Sequence, residues 1–189
     1  MIFLLHGKAR SGKDTVADYL IDAIGLRKLS LAKPLKKMGM DYFDLTHDEC
    51  HNHKTDISRR ILQGLGEMYR QEGGESFWTE RVIKEIEDQY DFNAGIKHFA
   101  ITDCRYVNDI LDFKNHFQGE KIWENTNVPF LHCVSIKIIR GDCPEIEYGA
   151  SHPTENGLNN FDFDVTIENN GTLHDLYDKV DNLLETQPI

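Results

Sequence analysis

Near its N-terminus the chain carries Gly7-Lys8-Ala9-Arg10-Ser11-Gly12-Lys13-Asp14-Thr15, a set of residue types suited to gripping phosphate. Glycines let consecutive backbone N–H groups curl around phosphate oxygens, and a helix opening at the same point adds partial positive charge. The spacing G-x-x-x-x-G-K follows the apolar run 2–5 and precedes a helical period, the context that gives this pattern its meaning as a phosphate-binding loop. Lys13 would reach the β- and γ-phosphates of ATP and follow charge into the transition state of phosphoryl transfer. Gly7, Arg10, Ser11, Gly12, Lys13, Asp14 and Thr15 are therefore candidate nucleotide contacts, with Asp14 and Thr15 as oxygen donors toward Mg²⁺.

A second group of residues bears on where the phosphoryl group goes. The apolar run 98–102 ends on Asp103-Cys104-Arg105, with Asp109 a helical turn further on. Ligands of α/β sheets sit at the carboxyl ends of strands, so Asp103 is expected beside the loop, holding Mg²⁺ directly or through water, with Arg105 facing the same crevice. The alternative for Asp103 is a cap on the following helix. Arg59, Gln63, Gly66 and Arg70 are spaced i, i+4, i+7, i+11, which places them on one stripe of a helix. Ile61, Leu62, Leu65, Met68 and Tyr69 then form the opposite, core-facing side. Two arginines on such a stripe can fork around an acceptor phosphate; a solvated charged face is the plain alternative. Lys13, Asp103, Arg105 and Arg70 are the candidate catalytic residues, and Asp14, Thr15 and Asp103 the candidate metal ligands. Trp78 offers aromatic surface for a base or for the core.

The elements that must position these residues follow from hydrophobic period. Strands are predicted at 2–6, 27–31, 98–102, 131–139 and 163–168, and helices at 13–24, 34–43, 56–72, 76–90, 106–117 and 173–185. A polar loop is expected through 54 and an irregular segment over 140–160. Pro34 suits a first helical turn, and Thr172 with Asp175 reads as a capping box. Alternating strands and helices make an α/β fold with a doubly wound, five-stranded parallel sheet flanked by helices. The reading is one domain over 1–189, with a helical insert at about 44–92 and a lid-like segment at about 140–160.

Composition narrows the function classes. Across 189 residues the net charge is −11, which opposes a general nucleic-acid polymer partner but leaves room for a local cationic pocket. No run approaches the length of a membrane span, so a cytoplasmic protein is expected, in the host cytoplasm if phage-encoded. Cys50, Cys104, Cys133 and Cys143 lack paired spacing and read as thiols. The cluster His47-Asp48-Glu49-Cys50-His51-Asn52-His53 lacks the second ligand pair of a zinc site and reads as a solvated loop. A homodimer is left open.

The order of motifs resembles the bacteriophage deoxynucleoside monophosphate kinases, a branch of the P-loop nucleotide kinases. The resemblance rests on 7–15 with its G-K-x-T layout, Leu31-Ala32-Lys33-Pro34-Leu35-Lys36, and Arg59-Arg60-Ile61-Leu62-Gln63-Gly64-Leu65-Gly66 with Trp78. It continues through Asp103-Cys104-Arg105 with Asp109, Ile139-Arg140, His152-Pro153-Thr154-Glu155 and the tail 163–173. It implies a P-loop NTPase fold and transfer from MgATP to a deoxynucleoside monophosphate, giving dNDP and ADP. Arg59, Arg60, Trp78, Asp103, Arg105 and Asp109 would then shape the acceptor side, joined by Lys33 and Gln63, and Arg140 would lie near the donor nucleotide. Gly66-Glu67 departs from the family's Gly-Thr.

A rival resemblance is to animal-type phosphomevalonate kinases, through Gly12-Lys13-Asp14, Asp103-x-Arg105-x-x-x-Asp109, Glu155-Asn156-Gly157-Leu158-Asn159-Asn160-Phe161 and Glu67. A rival of another class is a nucleotide-binding switch, for which the chain lacks the guanine-reading Asn-Lys-x-Asp.

Overall fold

In a computed structural model the chain is described over residues 1–90, 97–119, 130–141 and 157–187. The strands are β1 (Ile2–His6), β2 (Arg27–Leu29), β3 (Phe99–Ile101), β4 (Cys133–Ile139) and β5 (Val165–Glu168). They form one sheet in the order β2-β3-β1-β4-β5, and every pairing is parallel. The helices are α1 (Lys13–Ile24), α2 (Lys33–Tyr42), α3 (His47–His51), α4 (Asp56–Gly73), α5 (Phe77–Gln89), α6 (Val107–Gln118) and α7 (Leu173–Thr186).

β1 sits at the centre, and its alternation shows why both faces must be covered. Ile2 and Leu4 pack into one core with Val82, Ile83 and Ile86 of α5 and Ile110, Phe113 and Phe117 of α6. Phe3 and Leu5 point the other way, against Val16, Ala17 and Leu20 of α1 and Leu176, Val180 and Leu183 of α7. An all-parallel sheet buried on both sides needs such continuous apolar strands. The sheet therefore has the α/β, doubly wound, five-stranded form expected from the sequence.

Its order places β1 between β3 and β4, so the turns after β1, β3, β4 and β5 open side by side at one edge. These turns carry the phosphate-loop residues, Asp103, Arg140 and Asn169, and the sheet's switch point lies among them.

Several elements differ from those expected from the sequence. β2 and β5 are shorter than expected, and β4 begins at Cys133. The supposed loop before 54 contains α3, closed by a capping box in which Thr46 and Glu49 satisfy each other's backbone N–H groups. Met68, assigned to the core side of α4, is 47% exposed, as is much of Ile57; the buried seam of that helix is narrower than its apolar content. Pro34 does stand in the first turn of α2, and the capping box of Thr172 and Asp175 is present. Cys50, Cys104 and Cys133 are buried free thiols, and burial pushes Cys133 up to about 12. Cys143, His152–Glu155 and most of the lid-like segment lie outside the described residues. Among the described residues no helix is long and apolar enough to cross a membrane, and no group of side chains is arranged to hold a metal in the manner of a histidine-cysteine site.

Candidate active site

Two cavities open at the carboxyl edge of the sheet. The first is lined by Arg10, Gly12, Lys13, Asp14, Thr15, Arg140 and Asn169. Its floor is the loop between β1 and α1, and its geometry explains the glycines. A side chain at Gly7 would run into the Ile138 carbonyl and the Ser11 hydroxyl, and one at Gly12 would meet the Asn169 amide. Gly12 also has φ 105, a region L side chains rarely adopt. Asn169, at the end of β5, donates from Nδ2 to the Ser11 carbonyl at 2.9 Å and so ties the loop to the far strand.

Lys13 folds back over the loop, its Nζ donating to the carbonyls of Gly7 at 2.6 Å and Lys8 at 2.7 Å. Asp14 is exposed and pairs with Lys28 at 2.7 Å. The Ser11 Oγ is buried and, among the described residues, has no hydrogen-bond partner; a buried orphan hydroxyl is costly. Together with the N–H groups at the start of α1, it makes a cradle that an anion would complete.

The second cavity is built from side chains rather than backbone. Leu31, Ala32 and Leu35 come from the start of α2, Lys54 from the turn before α4, and Arg59, Leu62, Gln63, Gly66, Glu67 and Arg70 from α4. Trp78, Asp103, Arg105, Tyr106 and Asp109 complete the wall, with Lys36 beside them. The expected stripe Arg59, Gln63, Gly66 and Arg70 does face this cavity along its whole length. A Cβ at Gly66 would touch only Leu35, at 3.4 Å, so that part of the wall is open.

Asp103 differs from its expected setting. It opens on this second cavity rather than on the one that holds Asp14 and Thr15, and both carboxylate oxygens are engaged. Ser30 Oγ donates at 2.7 Å, and the N–H groups of Leu31 and Ala32 each donate at 2.9 Å. The cap it supplies is thus to the turn entering α2, not to the helix that follows it. Asp109 is buried at 1% exposure and accepts from the backbone N–H of Arg105 at 2.7 Å and of Tyr106 at 2.9 Å, and from Arg70 Nη2 at 2.6 Å. Burial raises its pKa, while Arg70 and the two amides oppose that rise. Its partners are internal, so Asp109 acts on the cavity by fixing Arg70 and the turn bearing Arg105. Arg70 also donates to the Glu75 carbonyl and lies 4.2 Å above the Tyr106 ring.

Trp78 is 3% exposed and donates from Nε1 to the Gly66 carbonyl at 3.1 Å. It is a core residue with one edge at the cavity. Two residues expected on the acceptor side fall elsewhere. Lys33 pairs with Glu85 at 2.8 Å, and Arg60 is exposed and absent from the wall.

Sequence reasoning missed Lys36, Lys54, Tyr106 and Asn169. Lys54 is exposed as a residue, yet it lines the cavity. Burial there lowers its pKa, reinforced by Arg105, Lys36 and Arg59. His6, the last residue of β1, was also missed. Its Nδ1 bonds the Cys104 carbonyl at 2.9 Å, linking the strand before the phosphate loop to the turn carrying Arg105. Burial lowers its pKa, with Lys13, Lys137 and Arg105 adding to the effect.

A family model described as deoxynucleotide monophosphate kinase matches residues 1–66. A protein of Escherichia phage RB69 named deoxynucleotide monophosphate kinase is 21% identical, covering 97% of this chain and 99% of its own length. An Acanthamoeba polyphaga mimivirus protein provisionally given the same name is 23% identical, covering 95% of this chain and 93% of its own. The crystal structure of TT1252 from Thermus thermophilus shares the fold with a TM-score of 0.50 at 16% identity, over 100% of this chain and 98% of that one. The chain is thus a kinase similar along nearly its whole length to deoxynucleotide monophosphate kinases, as its motifs indicate.

Proposed function

We propose that the protein transfers the γ-phosphoryl group of ATP to a deoxynucleoside monophosphate, giving dNDP and ADP, within a single kinase domain over 1–189. The observation that carries this reading is the pairing of two unlike cavities at one sheet edge. One has a backbone cradle with a lysine; the other has Lys36, Lys54, Arg59 and Arg105 in an apolar-walled pocket. The first suits a polyphosphate tail, and the second suits a compact molecule with a phosphate at one end.

In this reading Gly7, Arg10, Ser11, Gly12 and Arg140 bind the donor nucleotide, and Lys13 neutralises charge on the departing phosphoryl. The segment at about 44–92, with α3, α4 and α5, serves as the acceptor-binding insert. The acceptor phosphate is already anionic, so no covalent nucleophile on the protein is needed, and catalysis is positioning plus charge neutralisation. Arg59, Lys36, Lys54 and Arg105 hold the acceptor phosphate, and Arg70 steadies the far wall. Mg²⁺, when bound, neutralises and orients the phosphates of ATP. Asp14 and Thr15 offer the hard oxygen donors it would prefer, whereas Asp103, engaged by Ser30, Leu31 and Ala32, holds the turn entering α2.

The test is ADP release from MgATP by purified protein with each of four dNMPs, the matching ribonucleotides, phosphomevalonate, and no acceptor. Turnover confined to dNMPs is expected. Turnover with phosphomevalonate alone would move the protein to another acceptor class, and equal ATP consumption without acceptor would make it a hydrolase or switch.

A further inference from the structure

A phosphate loop grips an anion only if its peptides turn N–H groups, and not carbonyls, toward the ligand. Gly12 stands at the N-cap of α1 and lines the first cavity, where N–H groups have no intrahelical partner. Its φ of 105 records one of two orientations open to the peptide that joins it to Ser11. Glycine adopts positive and negative φ about equally readily, so Gly12 does not itself choose between them. A trans peptide holds its C=O and N–H on opposite sides. Turned over, this one would present the Ser11 carbonyl where the Gly12 N–H now points.

The choice is made from the other side of the sheet. Asn169 is buried just beyond β5, and its backbone N–H donates to the Ile139 carbonyl of β4 at 2.7 Å. The next residue is anchored as well, since Asn170 Oδ1 accepts from the Gly141 N–H at 2.8 Å. From this fixed base Asn169 Nδ2 donates to the Ser11 carbonyl at 2.9 Å. The fit leaves no room for a side chain at position 12, where a Cβ would lie 2.5 Å from that nitrogen. The Ser11 hydroxyl, buried and without a hydrogen-bond partner among the described residues, belongs to the residue so held.

Resting on the reading of the first cavity as the donor site, we infer that Asn169 is a positioning residue for the donor phosphates. By pinning the Ser11 carbonyl it keeps the Ser11–Gly12 peptide turned with its N–H toward the anion. Without that bond the peptide is free to turn over, and a carbonyl oxygen then faces the phosphate charge. The effect is on phosphate rather than on the nucleoside, and on the donor rather than on the acceptor.

The experiment titrates MgATP and inorganic tripolyphosphate by calorimetry into the wild type, Asn169→Ala and Asn169→Asp. The aspartate keeps the shape but, ionised, cannot donate, so a variant that fails to fold leaves the other to decide. Thr172→Ala is the matched control: it removes the N-cap of α7 and lowers stability close by without touching the loop. Both Asn169 variants should weaken MgATP by about 10- to 100-fold, the worth of one hydrogen bond to a charged group. Tripolyphosphate should weaken by the same factor, with the acceptor KM unchanged, and Thr172→Ala should lower the melting temperature and leave both affinities alone. Unchanged MgATP affinity in a folded Asn169 variant, or an equal loss in Thr172→Ala, would overturn the assignment. So would a loss confined to ATP, which would make Asn169 a contact to the nucleoside. The titrations need no acceptor, so failure of every dNMP as substrate would overturn the proposed function and not this inference. A wild type that binds neither MgATP nor tripolyphosphate would overturn both.

Discussion

The two cavities, donor and acceptor under the proposed function, obey different construction rules. The donor cavity is built mainly on one stretch of chain, the loop from Gly7 to Thr15, which Asn169 ties to β5 and over which Lys13 folds; Arg140 and Asn169 complete its lining. The acceptor cavity draws on α2, α4, α5 and the turns before α4 and α6, and its charged groups are also structural struts. Arg70 and Asp109 form a pair at 2.6 Å with exposures of 15% and 1%. The contrast teaches that function and stability are nearly separable on the donor side and fused on the acceptor side.

The sharpest way to break this contrast is Arg70→Ala. It leaves the Asp109 carboxylate buried without its counter-charge, a change that costs about 3–5 kcal/mol in comparable pairs. Urea unfolding should show that loss, and activity should fall with it. If Arg70→Ala keeps wild-type stability, the acceptor wall is not a strut. On the donor side Lys13→Ala should lower kcat by about 10²–10³-fold with little change in unfolding midpoint. A midpoint that drops as far as in Arg70→Ala would erase the distinction between the cavities.

Asp103→Asn sharpens the contrast from within one residue. The amide would turn an N–H₂ toward the donors from Ser30, Leu31 and Ala32, losing at least one of those bonds at a cost of about 1–3 kcal/mol. The expected result is lower stability with an unchanged Mg²⁺ concentration dependence of the rate. A stable variant needing more Mg²⁺ would return Asp103 to the metal.

How much was legible in the sequence divides along the same line. The donor loop is contiguous, so residue types and spacing reveal it before any fold is known. The stripe of α4 is legible for a similar reason, because helical period converts spacing into a shared face. Asn169 and His6 act across strands whose order no single sequence reveals. Lys33 and Arg60 misled because neighbourhood along the chain is not neighbourhood at the cavity: Lys33 leans to α5, and Arg60 points away from the stripe one residue before it. α3 was readable, since Thr46 and Glu49 have the spacing of a capping box, but a short stretch so rich in polar residues reads equally as a solvated loop. Lys54 left no signal, as a lysine in a polar turn looks the same whether it faces water or a cavity.

Lys54 gives the pH prediction. Its folded pKa is lowered by burial and by Arg105, Lys36 and Arg59, so between that value and the ordinary lysine value the native state binds fewer protons than the unfolded chain. Stability contributed by this group therefore rises with pH through that window, being reduced below it. Acceptor binding runs the other way, because a phosphate dianion needs the ammonium charged. The kcat/KM for the acceptor should fall as pH rises through the depressed pKa. Lys54→Gln should flatten that fall and raise the acceptor KM by about 10-fold, consistent with loss of a hydrogen bond to a charged group, with the KM for ATP unchanged. An alkaline limb that persists in Lys54→Gln would assign the titration to another group.

The smallest effect separates resemblance from geometry. Lys33 matches a family acceptor position in sequence, yet here its Nζ is 2.8 Å from Glu85 and it is exposed; Arg60 is likewise outside the wall. Exposed pairs of this kind contribute about 0–1 kcal/mol. Lys33→Ala and Arg60→Ala should therefore change acceptor KM by no more than about 2-fold, in line with surface substitutions generally. Lys36→Ala, one turn along α2 and on the wall, should raise it several times more. If Lys33→Ala instead matches Lys36→Ala, the start of α2 must turn toward the acceptor when nucleotide binds, and the Lys33–Glu85 pair would be a contact of the resting enzyme alone.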